Sequence, residues 1–248
     1  MNKIAFLFLV ISFSCLGQVS NIANEWEAEL TKQFKTQNQS EFLKFDFSEV
    51  LSNQMRIDKD PWSTYIGVFG KMNKRIDFHL TASKTNDTSY FIAGKRKRGN
   101  AIHSVSGEIN PRKIFVVDNT VYILSFDYLL NENGDIDSLE YFTGIGTIVF
   151  TISNNKPKIY WSEAGELRQY NNMFVGIWRQ NNSEKYRECI FTFNPSGTHN
   201  KLPFRSDFYK DFASDDPCKC YFEIKEKYWQ YGWETYDDSN GYKEIWWQ

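Results

Sequence analysis

Few side chains in this chain have the type and spacing to do chemistry, and the cysteines come first. Cys218 and Cys220 stand one residue apart in DDPCKCYF, and Cys189 lies upstream. On an extended strand alternate residues share a face. Cys218, Cys220, Phe222 and Ile224 then point one way, and Lys219, Tyr221, Glu223 and Lys225 the other. The same alternation groups Cys189 with Phe191 and Phe193, opposite Glu188 and Thr192. All three thiols therefore enter one core. The leading expectation is a disulfide from Cys189 to Cys218 or Cys220, formed in an oxidising compartment, with one thiol left over. Closing a loop of about thirty residues contributes roughly 3–4 kcal/mol in the chain-entropy view. Two other readings stay open. The thiols are inert core residues, or they bind zinc with His199 as fourth ligand, although C-x-C is not a common zinc spacing. A redox pair is disfavoured, because no helix N-terminus stands nearby to lower a thiol pKa.

The remaining candidates are weaker. His79, His103 and His199 are the only histidines, and no HExxH, GxSxG, P-loop or GxGxxG occurs. No catalytic residue, metal ligand or cofactor is expected. NENGDIDSLE, at 131–140, echoes a calcium loop, but Leu129 would occupy its first position and has no side-chain oxygen. An Asn133-Gly134 hairpin explains it better. GKRKRGN places Lys95, Arg96, Lys97 and Arg98 beside a turn. They read as a contact for acidic groups or, more plainly, as an edge strand kept soluble by cations. The strongest functional hint is aromatic. Six of the eight tryptophans fall after residue 160. Strand alternation through KYWQYGWETYDD puts Trp229, Tyr231 and Trp233 in a row, with Glu234, Asp237 and Asp238 at the rim. Such rings suit sugar stacking or a protein contact; the plainer reading is that they are core.

The elements that must position these residues are mostly strands. Ile22, Trp26, Leu30 and Phe34 draw one apolar stripe and predict a helix over 21–37. EFLKFDFSEV alternates like a strand or an extended linker. Asp60-Pro61 then breaks the chain. RIDFHLTA, at 75–82, alternates cleanly, and further strands are expected at 64–70, 88–97, 101–109, 113–118, 120–129, 140–152 and 157–161. The pattern predicts a mainly β protein, an antiparallel barrel or sandwich with an N-terminal helix and a second, smaller β unit. Phe174-Val-Gly-Ile-Trp178 echoes Tyr65-Ile-Gly-Val-Phe69, which opens that second unit near residue 170. The expected division is a leader at 1–17, helix and linker at 18–61, a β domain at 62–165 and an aromatic-rich unit at 170–248.

The chain begins MNKIAFLFLVISFSCLGQ. Lys3, the apolar run at 4–11 and the small residues after it have the layout of a secretory leader cleaved after Gly17. Lipidation at Cys15 is the less favoured alternative. No later run is long enough for a membrane helix. With 29 Lys and Arg against 31 Asp and Glu, bulk charge makes no case for nucleic acid. Charge is uneven, however. Residues 71–113 hold ten Lys/Arg and three Asp/Glu, and residues 114–166 hold two and eight. Neighbouring strands that neutralise each other across the ladder explain this better than a steering field.

YIGVFGKMNKRIDFHLTAS, GKRKRGNAIHSVSGEI and FVGIWRQ with a following cysteine resemble a group of exported Bacteroidetes-type proteins of unknown function. The resemblance implies export and no activity. Gly176-Ile-Trp178 is also similar to the first-strand G-x-W of lipocalin-like barrels. The expected function is a non-enzymatic binding or interaction protein of the cell envelope or exterior. Its glycan or protein partner would meet the Trp229, Tyr231, Trp233 and Glu234 surface, or the basic residues 95–98. The alternative is a lipocalin-like barrel with a small apolar ligand inside, lined by Tyr122, Leu124, Phe126 and Ile148. A hydrolase using Glu234, Asp237 or Asp238 lacks support.

Overall fold

A computed structural model describes residues 21–52, 64–132, 140–160, 167–180, 183, 185–192, 224–234 and 246–247. The strands are β1 (Lys35–Gln37), β2 (Tyr65–Phe69), β3 (Lys74–Asn86), β4 (Ser89–Arg98), β5 (Ala101–Val116), β6 (Val121–Glu132), β7 (Glu140–Ser153), β8 (Lys156–Ile159), β9 (Met173–Gln180) and β10 (Tyr186–Thr192). All pairings are antiparallel. From β2 to β7 each strand neighbours the next, β9 follows β7, β10 follows β9, and β10 pairs with β2. With β5 also paired to β6, eight strands close into a ring, which leaves no free edge among them. The break expected near residues 165–170 does not separate two sheets. β9 and β10 complete the first one, because their ladders to β7 and β2 are what close it. The expected strands at 101–109 and 113–118 are a single strand, β5, with an irregularity between Pro111 and Lys113, where proline withholds a ladder donor.

Strand alternation fills the ring with rings. Phe191 stacks on Phe78 at 4.2 Å and on Phe174 at 4.6 Å, and Tyr65, Tyr128 and Phe126 meet this stack edge-on. Gly146 is where it is because Phe126 lies over it: a Cβ there would overlap the ring. The four interior positions expected to line a ligand chamber are packed. Leu124, Phe126 and Ile148 are buried, and Tyr122 packs against Phe42 and Phe150.

One end of the barrel is plugged by chain that alternates like a strand. EFLKFDFSEV forms two short helices, α2 (Ser40–Leu43) and α3 (Ser48–Leu51). The Asp46 carboxylate accepts the Ser48 N–H at 2.8 Å in a turn that leads into α3. Phe42, Phe47, Val50 and Leu51 are then buried against Phe150 and Tyr90. Tyr65 donates to the Leu51 carbonyl at 3.2 Å, which ties α3 to the start of β2. Local pattern favoured a strand; the open barrel end, which needs apolar cover, decided otherwise.

Helix α1 (Asn21–Gln33) lies on the outer wall. Its stripe is as expected: Ala23, Trp26 and Leu30 are buried with Ile145, Val149 and Val175. Glu27 was not expected to matter, yet it is 5% exposed and held by four donors. Ser125 Oγ donates to it at 2.9 Å, Lys113 Nζ at 3.0 Å, and Arg112 through Nε at 3.1 Å and Nη2 at 3.0 Å. Arg112 also reaches Asp127 at 2.8 Å. Burial raises the Glu27 pKa, but the bonds from Lys113 and Ser125 and the Arg112 charge outweigh it, so the net shift is downward from 4.5. A carboxylate with a depressed folded pKa stabilises the fold above its unfolded value and loses that contribution as pH falls through the folded value. Stability to urea should therefore fall as pH drops below about 4.5, and E27Q should flatten that part of the profile. An unchanged profile in E27Q would show that the clamp is not coupled to folding.

Candidate functional site

The other barrel end is built differently. Here lie the ends of β2, β4, β6 and β9 and the starts of β5, β7 and β10. Alternation carries Arg96 and Arg98 inward, on the same face as Tyr90, Ile92 and Gly94, and Lys95 and Lys97 outward. β4 sits between β3 and β5, so the expected edge strand is an interior one. The four cations do not act as a patch. Arg96 is 1% exposed and grips Glu132 with Nε at 2.8 Å and Nη2 at 2.6 Å. Glu140 stands 3.6 Å from the same guanidinium. His103 Nδ1 meets Glu132 at 2.5 Å, and Trp178 Nε1 donates to Glu140 at 3.0 Å. Arg112–Asp127 joins the paired strands β5 and β6, the cross-ladder neutralisation the uneven charge implied, whereas Arg96 on β4 reaches Glu132 on β6 between strands that do not pair.

Two further guanidiniums crowd this mouth. Arg98 lies 4.7 Å and Arg187 5.4 Å from the Phe69 ring centre, and Arg187 also lies 5.3 Å from Trp178. Phe69 and Trp178 meet edge-on at 5.5 Å. Burial lowers the Arg98 pKa, and the charges of Arg96 and Arg187 push it the same way against the pull of Glu140 and Glu132. Beside this group opens a cavity of about 430 Å³ lined by Trp178, Gln180, Ser183, Lys185, Tyr186 and Arg187. That volume suits a small organic ligand. Among the described residues its lining offers two rings, two cations, an amide and two hydroxyls.

The aromatic row at the C-terminus is not a row. Glu226–Tyr231 winds as a 3₁₀ helix, closed by Gly232 at φ 95°. Only glycine adopts that backbone at little cost. The turn separates the three rings: Trp229 is 42% exposed, Tyr231 is half-buried, and Trp233 is 1% exposed. Trp233 packs on the outer barrel wall with Ile66, Val68 and Ile190, and its Nε1 donates to the Asn73 carbonyl at 2.7 Å. Glu234 is exposed; Asp237 and Asp238 lie outside the described residues. His79, expected on an outward face, stacks on Trp247 at 4.8 Å. W233A should cost about 3 kcal/mol, and W229A no more than about 0.5 kcal/mol. Thermal or urea unfolding checks both; equal effects would return the rings to one face.

Cys189 lies in the interior, fully buried with a free thiol, and burial pushes its pKa up against the pull of Arg96 and Arg98. Cys218, Cys220 and His199 lie outside the described residues, and the expected staple is not seen, because the Cys189 thiol is free. Most of NENGDIDSLE does too. Among the described residues no helix is long and apolar enough to cross a membrane, and no three His, Cys, Asp or Glu gather as a metal site. Gly176 and Trp178 sit on the seventh strand of the barrel rather than the first. Comparison with protein families, curated proteins and solved structures finds no significant match to the chain.

Sequence reasoning missed Glu132, Glu140, Trp178 and Arg187 as a group. One signal was available. Applying strand alternation to GKRKR, as it was applied to RIDFHLTA, puts Arg96 and Arg98 inside and demands buried acids opposite them.

Proposed function

We propose that the protein is an exported, non-enzymatic binding protein that takes a small ligand at the charged mouth of its barrel. The observation that carries this reading is the difference between the two ends. One is sealed by Phe42, Phe47, Val50 and Leu51, and the other meets a 430 Å³ cavity edged by Trp178, Tyr186, Lys185 and Arg187. Barrel mouths are a recurrent place for ligand sites. A chamber for an apolar ligand is disfavoured, because stacked rings occupy the interior. The C-terminal rings are disfavoured as a platform, because only Trp229 among them is well exposed. Export rests on the leader around Lys3 and the apolar run at 4–11.

The test is equilibrium dialysis of the purified protein against a panel of small molecules, with glycans included. Two exposed-ring variants, Y186A and W229A, are compared. Tyr186 is 64% exposed, so its removal leaves the fold intact. Ligands lost by Y186A and kept by W229A support the mouth. Ligands lost by W229A and kept by Y186A move the contact to the C-terminal segment.

A further inference from the structure

We infer that the ligand taken at the mouth carries an oxyanion, a carboxylate or a phosphate, held by Arg98 and Arg187. The inference rests on the mouth being the binding site. Among the described residues three guanidiniums meet there, from Arg96, Arg98 and Arg187, and two carboxylates, from Glu132 and Glu140. Both carboxylates are already engaged, Glu132 by Arg96 and His103, Glu140 by Trp178 with Arg96 close by. Among the described residues no carboxylate lies within ion-pair distance of Arg98 or Arg187.

What holds these two side chains is flat aromatic surface. Both lie against Phe69, and Arg187 also against Trp178. Ring contact fixes a guanidinium without cancelling its charge, and leaves its in-plane N–H donors free for a forked acceptor. Behind them, Arg96 Nη1 is buried with no hydrogen-bond partner. A buried charged donor without an acceptor is costly and uncommon. Lys185 adds a fourth cation at the cavity rim. An oxyanion with a planar body fits this set: fork-shaped donors for its charge, Trp178 and Tyr186 for its ring.

The experiment is titration calorimetry at neutral pH with phenyl phosphate, benzoate and phenol, which share a ring and differ in charge. At least one anion is expected to bind, with affinity falling as salt rises, and phenol is expected to give no heat. The two anions separate phosphate from carboxylate. R98Q/R187Q should weaken binding at least about 10-fold. R98K/R187K, which keeps charge and loses the fork, should fall between. Unfolding midpoints check that both variants fold. Phenol binding as tightly as the anions, with Y186A weakening all three, overturns the oxyanion and leaves the mouth standing. Anion binding kept by R98Q/R187Q and Y186A but lost by W229A overturns both. No heat from either anion at millimolar concentration also overturns the oxyanion.

Discussion

Glu132→Leu is expected to cost about 3–5 kcal/mol of unfolding free energy, because it leaves the Arg96 guanidinium buried without its main counter-charge. Arg96 is 1% exposed and Glu132 6%. Neither can move to water without opening the β4–β5–β6 ladder. Glu140, 3.6 Å away, recovers only part of the interaction, since it already accepts from Trp178. R96M alone should be similarly harmful, for it strands Glu132 with only His103. The double variant R96M/E132L should recover most of the loss, because it removes both desolvated charges together and fills the space with apolar chain. Urea unfolding of the four proteins closes the cycle. Single-variant costs below about 1 kcal/mol would mean that water reaches the pair and that the mouth is not a desolvated site.

Removing the central ring of the interior should be as damaging. Phe191→Ala is expected to cost about 3–5 kcal/mol. Its ring is stacked on both faces, by Phe78 and by Phe174, and touched at the edges by Tyr65 and Tyr128. No neighbour can collapse into the space, because each is itself fixed on a different strand. Phe191→Leu should cost less, about 1.5 kcal/mol, since it keeps most of the volume. Position 191 also lies on β10, where the ring of strands closes against Gly67 of β2. A hollow carrier would tolerate the truncation well, so a loss under about 1 kcal/mol would reopen the apolar-ligand reading.

Much of the wall was legible from residue type alone. Ile76, Phe78 and Leu80 alternate with Asp77, His79 and Thr81, and the structure keeps that register. The α1 stripe of Trp26 and Leu30 was legible for the same reason, because burial of one face imposes a period. Two segments read wrongly, and both carry large apolar residues at alternate positions, Leu43, Phe45 and Phe47 in one and Trp229, Tyr231 and Trp233 in the other. In EFLKFDF the rings serve a plug of short helices. In KYWQYGW Trp229 and Tyr231 lie in a 3₁₀ turn that Gly232 ends, and Trp233 follows it. A period of two says that every second residue is special, and a tight helical turn can use that spacing as well as a strand can. The partners that meet Arg96 and Arg98 at the mouth were illegible for another reason. Arg96 and Glu132 are joined only through the register of β4, β5 and β6, and Arg187 arrives only when β10 closes on β2. Long-range pairing is a property of the whole sheet, which no local window contains.

The most direct test of the mouth as the binding site is a ¹⁵N–¹H titration of the protein with phenyl phosphate. The account predicts shifts at the Trp178 indole N–H and at the Nε–H groups of Arg98 and Arg187, with the Trp229 and Trp233 indoles unmoved. Shifts confined to Trp229 and Trp233 would contradict it.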